Sequence, residues 1–134
     1  MIRHLAVGLV LVVTVLVALP AAQTEVVTGD HSTPLRELTG EGNAGISNAV
    51  LRNQDDVRVL RVVVEPGGFR AMHTHDDVQF HMFIPISGPM TLKLDGMDPV
   101  TVAPWHPYYM PAGTRHGFEN TGPEAVEIME VFVK

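Results

Sequence analysis

Short segments rich in β-branched residues, separated by glycine and proline turns, most strongly limit how this chain can fold. The clearest of them is residues 57–65, which contains five valines, a residue type that favours pleated strands. Arg58 and Arg61 interrupt this segment and are expected to face outward for part of its length. The Pro66-Gly67-Gly68 sequence that follows has strong turn chemistry, so we expect the strand to end there.

Further segments of the same kind recur at intervals of about 8–12 residues, with turns between them and no helical periodicity. The last segment alternates, with Val126, Ile128, Glu130 and Phe132 on one face. The glycine-rich residues 40–45 are expected to form a loop. The predicted strands are residues 35–38, 48–52, 57–65, 90–94, 99–103, 108–110, 115–119 and 125–133. This pattern predicts an all-β sandwich or barrel.

The N-terminus has the composition of a secretory signal peptide. Arg3 and His4 precede an apolar run at residues 5–19, and small residues follow Pro20. A membrane-spanning helix needs about 20 apolar residues, so the run is short for a permanent anchor, which is the alternative. We predict a signal peptide at residues 1–22, N-terminal strands and loops at 23–56 and a barrel core at 57–134. The mature protein would then be periplasmic or secreted, with no stable membrane association after cleavage.

Composition limits both the partners and the chemistry of the protein. The chain has 134 residues, of which 15 are acidic and 9 basic, and its net charge is −6. This length is enough for one domain with its own core. No basic patch is visible, so nucleic acid is not an expected partner. Because there is no cysteine, thiolate ligands are excluded, and any metal site must use histidine, glutamine or carboxylates.

A cluster of histidines follows the valine-rich segment. His73 and His75 are two residues apart, and so are Gln79 and His81. On an extended chain, residues i and i+2 point to the same face, so each pair can converge on one point. A neutral imidazole is a common protein ligand of transition metals. The sequence therefore predicts a metal site built mainly from this stretch.

Two spaced motifs resemble those of the cupin superfamily. In the first, Gly67 is followed after five residues by His73-Thr74-His75. In the second, Pro111-Ala112-Gly113 is followed by His116 and then by Asn120. The resemblance implies an all-β, single-domain cupin, a double-stranded β-helix or jelly-roll barrel. It also implies that His116 faces the first two histidines across the barrel interior.

The chain departs from the family pattern at two positions. Trp105 replaces the glycine that opens the second motif. The glutamate of the first motif is also absent: counting back from Gly88 puts His81 in its place, and counting forward from His75 gives Gln79. We favour His81 as the ligand at this position, with Gln79 as the alternative or as a residue that hydrogen-bonds to the ligand.

The resemblance implies a metal centre formed by His73, His75, His116 and either His81 or Gln79. An all-neutral ligand set suits a divalent transition metal (Fe, Mn, Ni, Cu or Zn), and the sequence does not choose among them. Such a set leaves the charge of the ion uncompensated, so it should attract an anionic or chelating oxygen ligand. The alternative is a cupin that has kept the histidines without a metal.

The function that these features predict is that of an exported metalloenzyme, dioxygenase- or isomerase-like, acting on a small organic molecule. The alternative is a non-catalytic cupin that binds a small molecule. Arg70 or Arg115 is a candidate for binding a substrate carboxylate, and Tyr108 or Tyr109 for a catalytic base. The resemblance also implies a homodimer.

Overall fold

Nine β-strands account for the regular structure of residues 33–134, the part of the chain that the computed structural model describes. The strands are β1 (Arg36–Glu37), β2 (Ala44–Asn53), β3 (Val57–His73), β4 (Phe80–Pro85), β5 (Met90–Leu94), β6 (Val100–Val102), β7 (Tyr108–Pro111), β8 (His116–Glu119) and β9 (Val126–Val133). The predicted signal peptide lies outside the described residues. Among residues 33–134, no helix has the length and apolar character needed to cross a membrane.

All nine strands belong to one antiparallel sheet, whose main path has the order β6-β5-β8-β3-β9-β4-β7. β2 pairs with β3 beside this path, and β1 pairs with β2. The long strand β3 is therefore shared by three neighbours, which are β2, β8 and β9. The sheet curls into a nearly closed barrel, which confirms the prediction of an all-β barrel.

β3 continues through Pro66-Gly67-Gly68, so the predicted end of the strand at this point is wrong. Its first half, up to Val64, pairs with β9, and its second half pairs with β8. Gly67 has a φ of +73°, and a Cβ on Gly68 would lie 2.6 Å from the carbonyl oxygen of Gly45, so both positions favour glycine. The Pro-Gly-Gly sequence forms a bulge and does not end the strand, because β3 is hydrogen-bonded to neighbouring strands both before and after it. At this bulge β3 changes its partner from β9 to β8.

Asn120, the last residue of the second motif, fixes this bulge to the end of β8. Its side chain is fully buried, and its Nδ2 donates to the carbonyl oxygen of Val64 at 2.9 Å. Its backbone exchanges two further hydrogen bonds of 2.9 Å with the glycine pair of the bulge. The second half of β3 is thereby held against β8, and His73 lies opposite His116.

The barrel interior divides into an apolar core and a polar end. The interior face of β9 alternates as predicted, and its Val126 and Ile128 belong to the apolar core. At the levels of Glu130 and Phe132, farther along β9, polar groups enter the interior. These groups are Arg58, Arg70, His73, His75, His81, His116 and Glu130. The candidate site lies at this polar end.

β2 begins earlier than the sequence predicts. It starts at Ala44 and includes Gly45, so that the predicted loop at residues 40–45 is shortened to residues 40–43. Gly45 has a φ of +60° and lies against the bulge of β3, where β2 also shifts its register. Gly45 is therefore part of the bulge between β2 and β3. The local sequence does not distinguish this role from that of a glycine in a loop.

Candidate metal centre

Three histidines from both motifs meet at the polar end of the barrel. His73 ends β3, His75 follows it, and His116 begins β8. One ring nitrogen of each residue lies within 4.8 Å of the corresponding nitrogens of the other two. The Nε2 atoms of His73 and His75 are 3.1 Å apart. This spacing and chemistry could hold a metal ion, and it confirms that the two motifs converge on one point.

The outer nitrogens of two of these rings are fixed by the backbone. His73 Nδ1 is 2.8 Å from the carbonyl oxygen of Ala71, and His116 Nδ1 is 2.9 Å from that of Thr114. A carbonyl oxygen only accepts hydrogen bonds, so each Nδ1 must carry the proton and donate it. In the neutral imidazole this leaves Nε2 with its lone pair directed towards the cluster, as a metal ligand requires.

The pKa values favour neutral, metal-competent imidazoles. The pKa of His75 is lowered to about 4, mainly by burial and to a smaller extent by repulsion from His73 and His81 in their charged forms. Burial is also the main reason that the pKa of His116 falls to about 4. The pKa of His73 is lowered, again mainly by burial. The three rings are therefore neutral at physiological pH.

His81 lies next to this group of three histidines. It is 2% exposed, and its ring centroid lies 5.0 Å from that of His116 and 5.2 Å from that of His75. Its ring stacks on Phe132, with centroids 4.3 Å apart and planes 13° from parallel. The structure thus places a fourth imidazole beside the group of His73, His75 and His116, but His81 is not part of that group, and its role as a ligand stays a prediction.

Gln79 lies away from the cluster. It precedes β4, which begins at Phe80, and its exposed side chain donates from Nε2 to the carbonyl oxygen of Lys134 at 2.9 Å. Gln79 and His81 therefore do not share a face, contrary to the expectation from sequence. The reason is that the strict alternation of a strand starts only at Phe80 and does not extend back to Gln79.

Several buried polar atoms at this end have no hydrogen-bond partner among the described protein groups. They are Nε2 of His116, both ring nitrogens of His81, Oε1 of Glu130 and Nε of Arg58. A buried donor or acceptor without a partner costs about 1–3 kcal/mol. One of these atoms, Nε2 of His116, belongs to a ring of the His73, His75 and His116 group, and two belong to the neighbouring ring of His81. The donor set therefore fits a divalent transition metal, for which such nitrogens are ligands.

Glu130 is a component of the site that the sequence analysis did not identify. It lies on β9 and is 6% exposed, with Oε1 3.5 Å from Nε2 of His81. Burial raises the pKa of Glu130, but contact with His81 and the charges of the other imidazoles more than reverse this and leave the pKa lowered. A separation of 3.5 Å is long for a hydrogen bond, so the contact is mainly electrostatic. The available signal was a charged residue on the otherwise apolar face of β9.

Arg58 is the second component that sequence reasoning missed, and its predicted outward orientation is wrong. Arg58 and Arg61 are three residues apart, so on a strand they point to opposite faces. Arg61 pairs with Glu127 on the outer face. Arg58 faces the polar end, where its Cζ lies 4.4 Å from the ring centroid of Phe132.

A small cavity opens beside the histidines, with a volume of about 70 Å³. Arg58, Arg70, His73, His75 and Glu130 contribute to its wall. The other lining residues are Leu38, Ile46, Asn48, Leu60, Val62, Phe118 and Phe132. The cavity therefore combines charged groups near the imidazoles with an apolar wall, which is the usual composition of a small-molecule site.

The other residues proposed from the sequence for substrate contact or base catalysis lie elsewhere. Arg115 and Tyr109 are exposed, and with Tyr108 they line a separate depression between β5 and β7. Tyr108 is half-buried and packs against the apolar core. Among these candidates, Arg70 is the one that lines the histidine cavity.

An antiparallel barrel with histidines from two motifs gathered at one end defines a cupin. A family model described as a cupin domain matches residues 60–132, and the chain belongs to the Cupin_2 family. No functionally curated protein matches the chain in sequence.

Solved structures with the same fold have low sequence identity to this chain. The polyketide cyclase RemF from Streptomyces resistomycificus is 20% identical, with a TM-score of 0.68 over 76% of this chain and 74% of its own. A predicted oxalate decarboxylase from Thermotoga maritima has the same identity and TM-score, 20% and 0.68, over 76% of this chain and 93% of its own. An RmlC-like cupin from Shewanella frigidimarina is 14% identical, with a TM-score of 0.65 over 79% of this chain and 87% of its own. At these identities the likeness is one of fold.

Proposed function

We propose that this protein is a metal-dependent enzyme that acts on a small organic molecule. His73, His75 and His116 hold a divalent transition metal, with His81 as a fourth imidazole. The observation that carries the proposal is the group of ring nitrogens from His73, His75 and His116 within 4.8 Å of one another, in which the buried Nε2 of His116 has no partner among the described groups. When bound, such an ion would supply Lewis-acid chemistry to a substrate oxygen atom.

The chain's own groups have distinct roles in this proposal. The backbone carbonyls of Ala71 and Thr114 orient two of the ligand rings. Glu130 is the acidic residue among the described groups that line the cavity, and its charge offsets part of the charge of a bound ion. The walls of Leu60 and Phe118 limit water around a bound molecule. A carboxylate beside the cavity supports an enzyme over a simple binding protein, since Oε1 can accept a proton from a bound molecule.

The comparisons support a small organic substrate at the level of the fold. Two structures with this fold are described as a polyketide cyclase and a predicted oxalate decarboxylase. Both dioxygenase-like and isomerase-like chemistry fit the proposed centre, because a fold hosts many reactions and the site decides among them.

Metal content is the primary test. The protein is purified without a polyhistidine tag, and its metal is measured by elemental analysis alongside a His73→Ala/His116→Ala variant. We expect near-stoichiometric metal in the first and almost none in the second. His106→Ala is the matched control, because this exposed ring hydrogen-bonds to the carbonyl oxygen of Pro104 and is not part of the group formed by His73, His75 and His116. Equal trace metal in all three proteins would overturn the proposal.

Turnover separates the enzyme from the non-catalytic alternative. The metal-loaded protein is incubated in air with candidate phenols, diketones and short organic acids, and the compounds are then analysed by mass spectrometry. Conversion that is lost in the double alanine variant supports an enzyme. Tight binding with the compound recovered unchanged supports a binding protein instead.

We also propose that the protein is exported, on the basis of the composition of residues 1–22. The full chain is expressed in a bacterial host, the cells are fractionated and the product is analysed by intact-mass spectrometry. We expect a periplasmic or secreted protein that begins near Ala22 or Gln23. An uncut chain in the membrane fraction would indicate a permanent anchor.

A further inference from the structure

We propose that the cavity beside the histidines selects a small organic acid, and that Arg58 binds its carboxylate while Arg70 adds a second positive charge. This inference rests on the proposed function and names the class of molecule that the same site accepts. It replaces the expectation that Arg115 holds such a group, since Arg115 lines a different depression.

Arg58 is held in place by its neighbours and still has N–H donors available for a ligand. Its guanidinium lies over the Phe132 ring, and Arg58, Phe132 and His81 lie in register across three strands. This cation–π contact limits the freedom of the side chain. Its Nε is buried and has no partner among the described groups. A guanidinium has five N–H donors in a planar fork that matches a carboxylate.

Within residues 33–134, the ion pair of Arg58 with Asp77 leaves most of these donors free. Nη1 of Arg58 lies 3.6 Å from the carboxylate of Asp77, whose side chain is 61% exposed. Exposed pairs of this length contribute about 0–1 kcal/mol. A carboxylate in the less exposed cavity therefore competes well with Asp77 for the guanidinium.

The charges around the cavity favour an anion. Arg58 and Arg70 contribute two permanent positive charges, and Glu130 contributes one negative charge that faces His81. The protein as a whole has a net charge of −6, so this positive region is local. Because the two positive charges outnumber the one negative charge, the local potential of the cavity favours an anionic ligand.

The size of the cavity limits the acid. One water-sized group occupies about 10–15 Å³ on this measure, so a cavity of about 70 Å³ has room for a handful of such groups. This suits an acid with roughly six non-hydrogen atoms, and it excludes molecules with fused rings. The apolar wall formed by Leu60, Val62 and Phe118 accommodates a short carbon chain.

Calorimetry with matched acids and amides tests the inference. Oxalate, malonate and succinate are titrated into the full-length protein, each beside its neutral diamide of similar shape. We expect at least one acid to bind about tenfold or more tightly than its diamide, because hydrogen bonds to charged groups are the stronger ones. The titrations are repeated after treatment with EDTA to separate the contribution of metal.

Variants of Arg58 identify the group responsible. We expect Arg58→Met to weaken binding of the preferred acid by about tenfold to a hundredfold, and Arg58→Lys to lose less, because it keeps the charge without the fork. Arg115→Met is the matched control and should bind as the wild type does. Thermal unfolding of each variant shows whether it is folded, and Arg58→Lys provides the test if Arg58→Met is not.

Metal analysis of the same samples distinguishes the two proposals. Loss of acid binding in Arg58→Met with unchanged metal content supports the inference. Equal binding of acids and diamides by metal-containing protein, or wild-type binding by Arg58→Met, overturns the inference and leaves the metal centre standing. A wild-type protein without metal overturns the proposed function, whereas acid binding that depends on Arg58 would still support the anion site.

Discussion

The imidazoles of His75 and His116 stay neutral well below the pH at which an exposed histidine takes up a proton. Burial lowers the pKa of each to about 4, whereas an unperturbed histidine has a pKa of about 6.5. A proton and a metal ion compete for the same lone pair. The pH at which this competition begins is therefore a property of the individual residues.

The first prediction concerns the pH dependence of metal retention. Between about pH 6.5 and 5, ordinary histidines would become protonated and release metal, but His75 and His116 remain neutral there. We expect metal affinity to be nearly constant down to about pH 5 and to fall steeply near pH 4. Dialysis against a metal buffer at each pH, followed by elemental analysis, measures the amount of metal that the protein retains. A decline that starts at about pH 6.5 would contradict the lowered pKa values.

The second prediction concerns Glu130, whose carboxylate faces His81 at 3.5 Å. Glu130→Gln keeps the shape of the side chain and removes its charge. Loss of a polar partner behind a metal ligand weakens metal binding by about 10–100-fold, and we expect a loss in that range. Competition with a chromophoric chelator measures the affinity.

Glu119→Gln is the control for this charge effect. Glu119 pairs with Lys93 outside the histidine cluster, so its substitution should leave metal affinity unchanged. Equal affinity in Glu130→Gln and the wild type would show that Glu130 does not act on the metal centre.

At the scale of the strands, the change of partner in β3 places the two motifs together. Residues up to Val64 follow β9, and the residues after the bulge follow β8. The buried Asn120 ties both segments to the turn after β8. The motif asparagine thus supports the geometry of a site that it does not touch.

The third prediction follows from this role of Asn120. Asn120→Ala removes the donors to the carbonyl oxygens of Val64 and Glu124 and the acceptor for the N–H of Gly122. We expect the free energy of unfolding to fall by about 2–4 kcal/mol, because buried groups lose their partners. Urea denaturation measures the change.

A matched control separates this effect from a general loss of turn structure. Thr121 is the exposed neighbour of Asn120, and its hydroxyl contacts that of Thr91 at 3.3 Å. Thr121→Ala should change the free energy of unfolding by less than about 0.5 kcal/mol. Asn120→Ala as stable as Thr121→Ala would contradict the proposed role of the asparagine.

The sequence predicts those parts of the fold that depend on local pattern. The alternation in β9 is local and is confirmed. The meeting of His116 with His73 and His75 is not local: the resemblance of the two motifs implied it, and the structure shows it. The inward position of Arg58 depends on which face of β3 the barrel encloses. That face is determined by pairing with β9, which is distant in the sequence. The prediction that Gln79 shares a face with His81 was wrong because β4 starts only at Phe80. That start is set by pairing with β9 and β7, which cannot be inferred from the local sequence.

At the scale of the whole molecule, the outer face of the sheet contains an apolar patch. On β3, β9 and β4, Val59, Val131 and Met82 lie in register and face away from the barrel interior. The neighbouring outward row contains Met129 and Ile84, and Arg61, paired with Glu127, borders the patch on β3. The solvated face of an antiparallel sheet is normally polar, and a contiguous apolar face marks an interaction site.

The fourth prediction is that this face joins two copies of the protein, and we propose a homodimer on this basis. A symmetric pair buries the same patch on both subunits, so one substitution disrupts the interface twice. Val131→Glu places a charge at the centre of the patch, and we expect it to convert a dimer into a monomer in sedimentation velocity. Val50→Glu is the control, since Val50 is 50% exposed on β2, outside the patch. A wild-type protein that sediments as a monomer at high micromolar concentration would contradict the proposed homodimer. A dimer that persists in Val131→Glu would show that the interface lies on another surface.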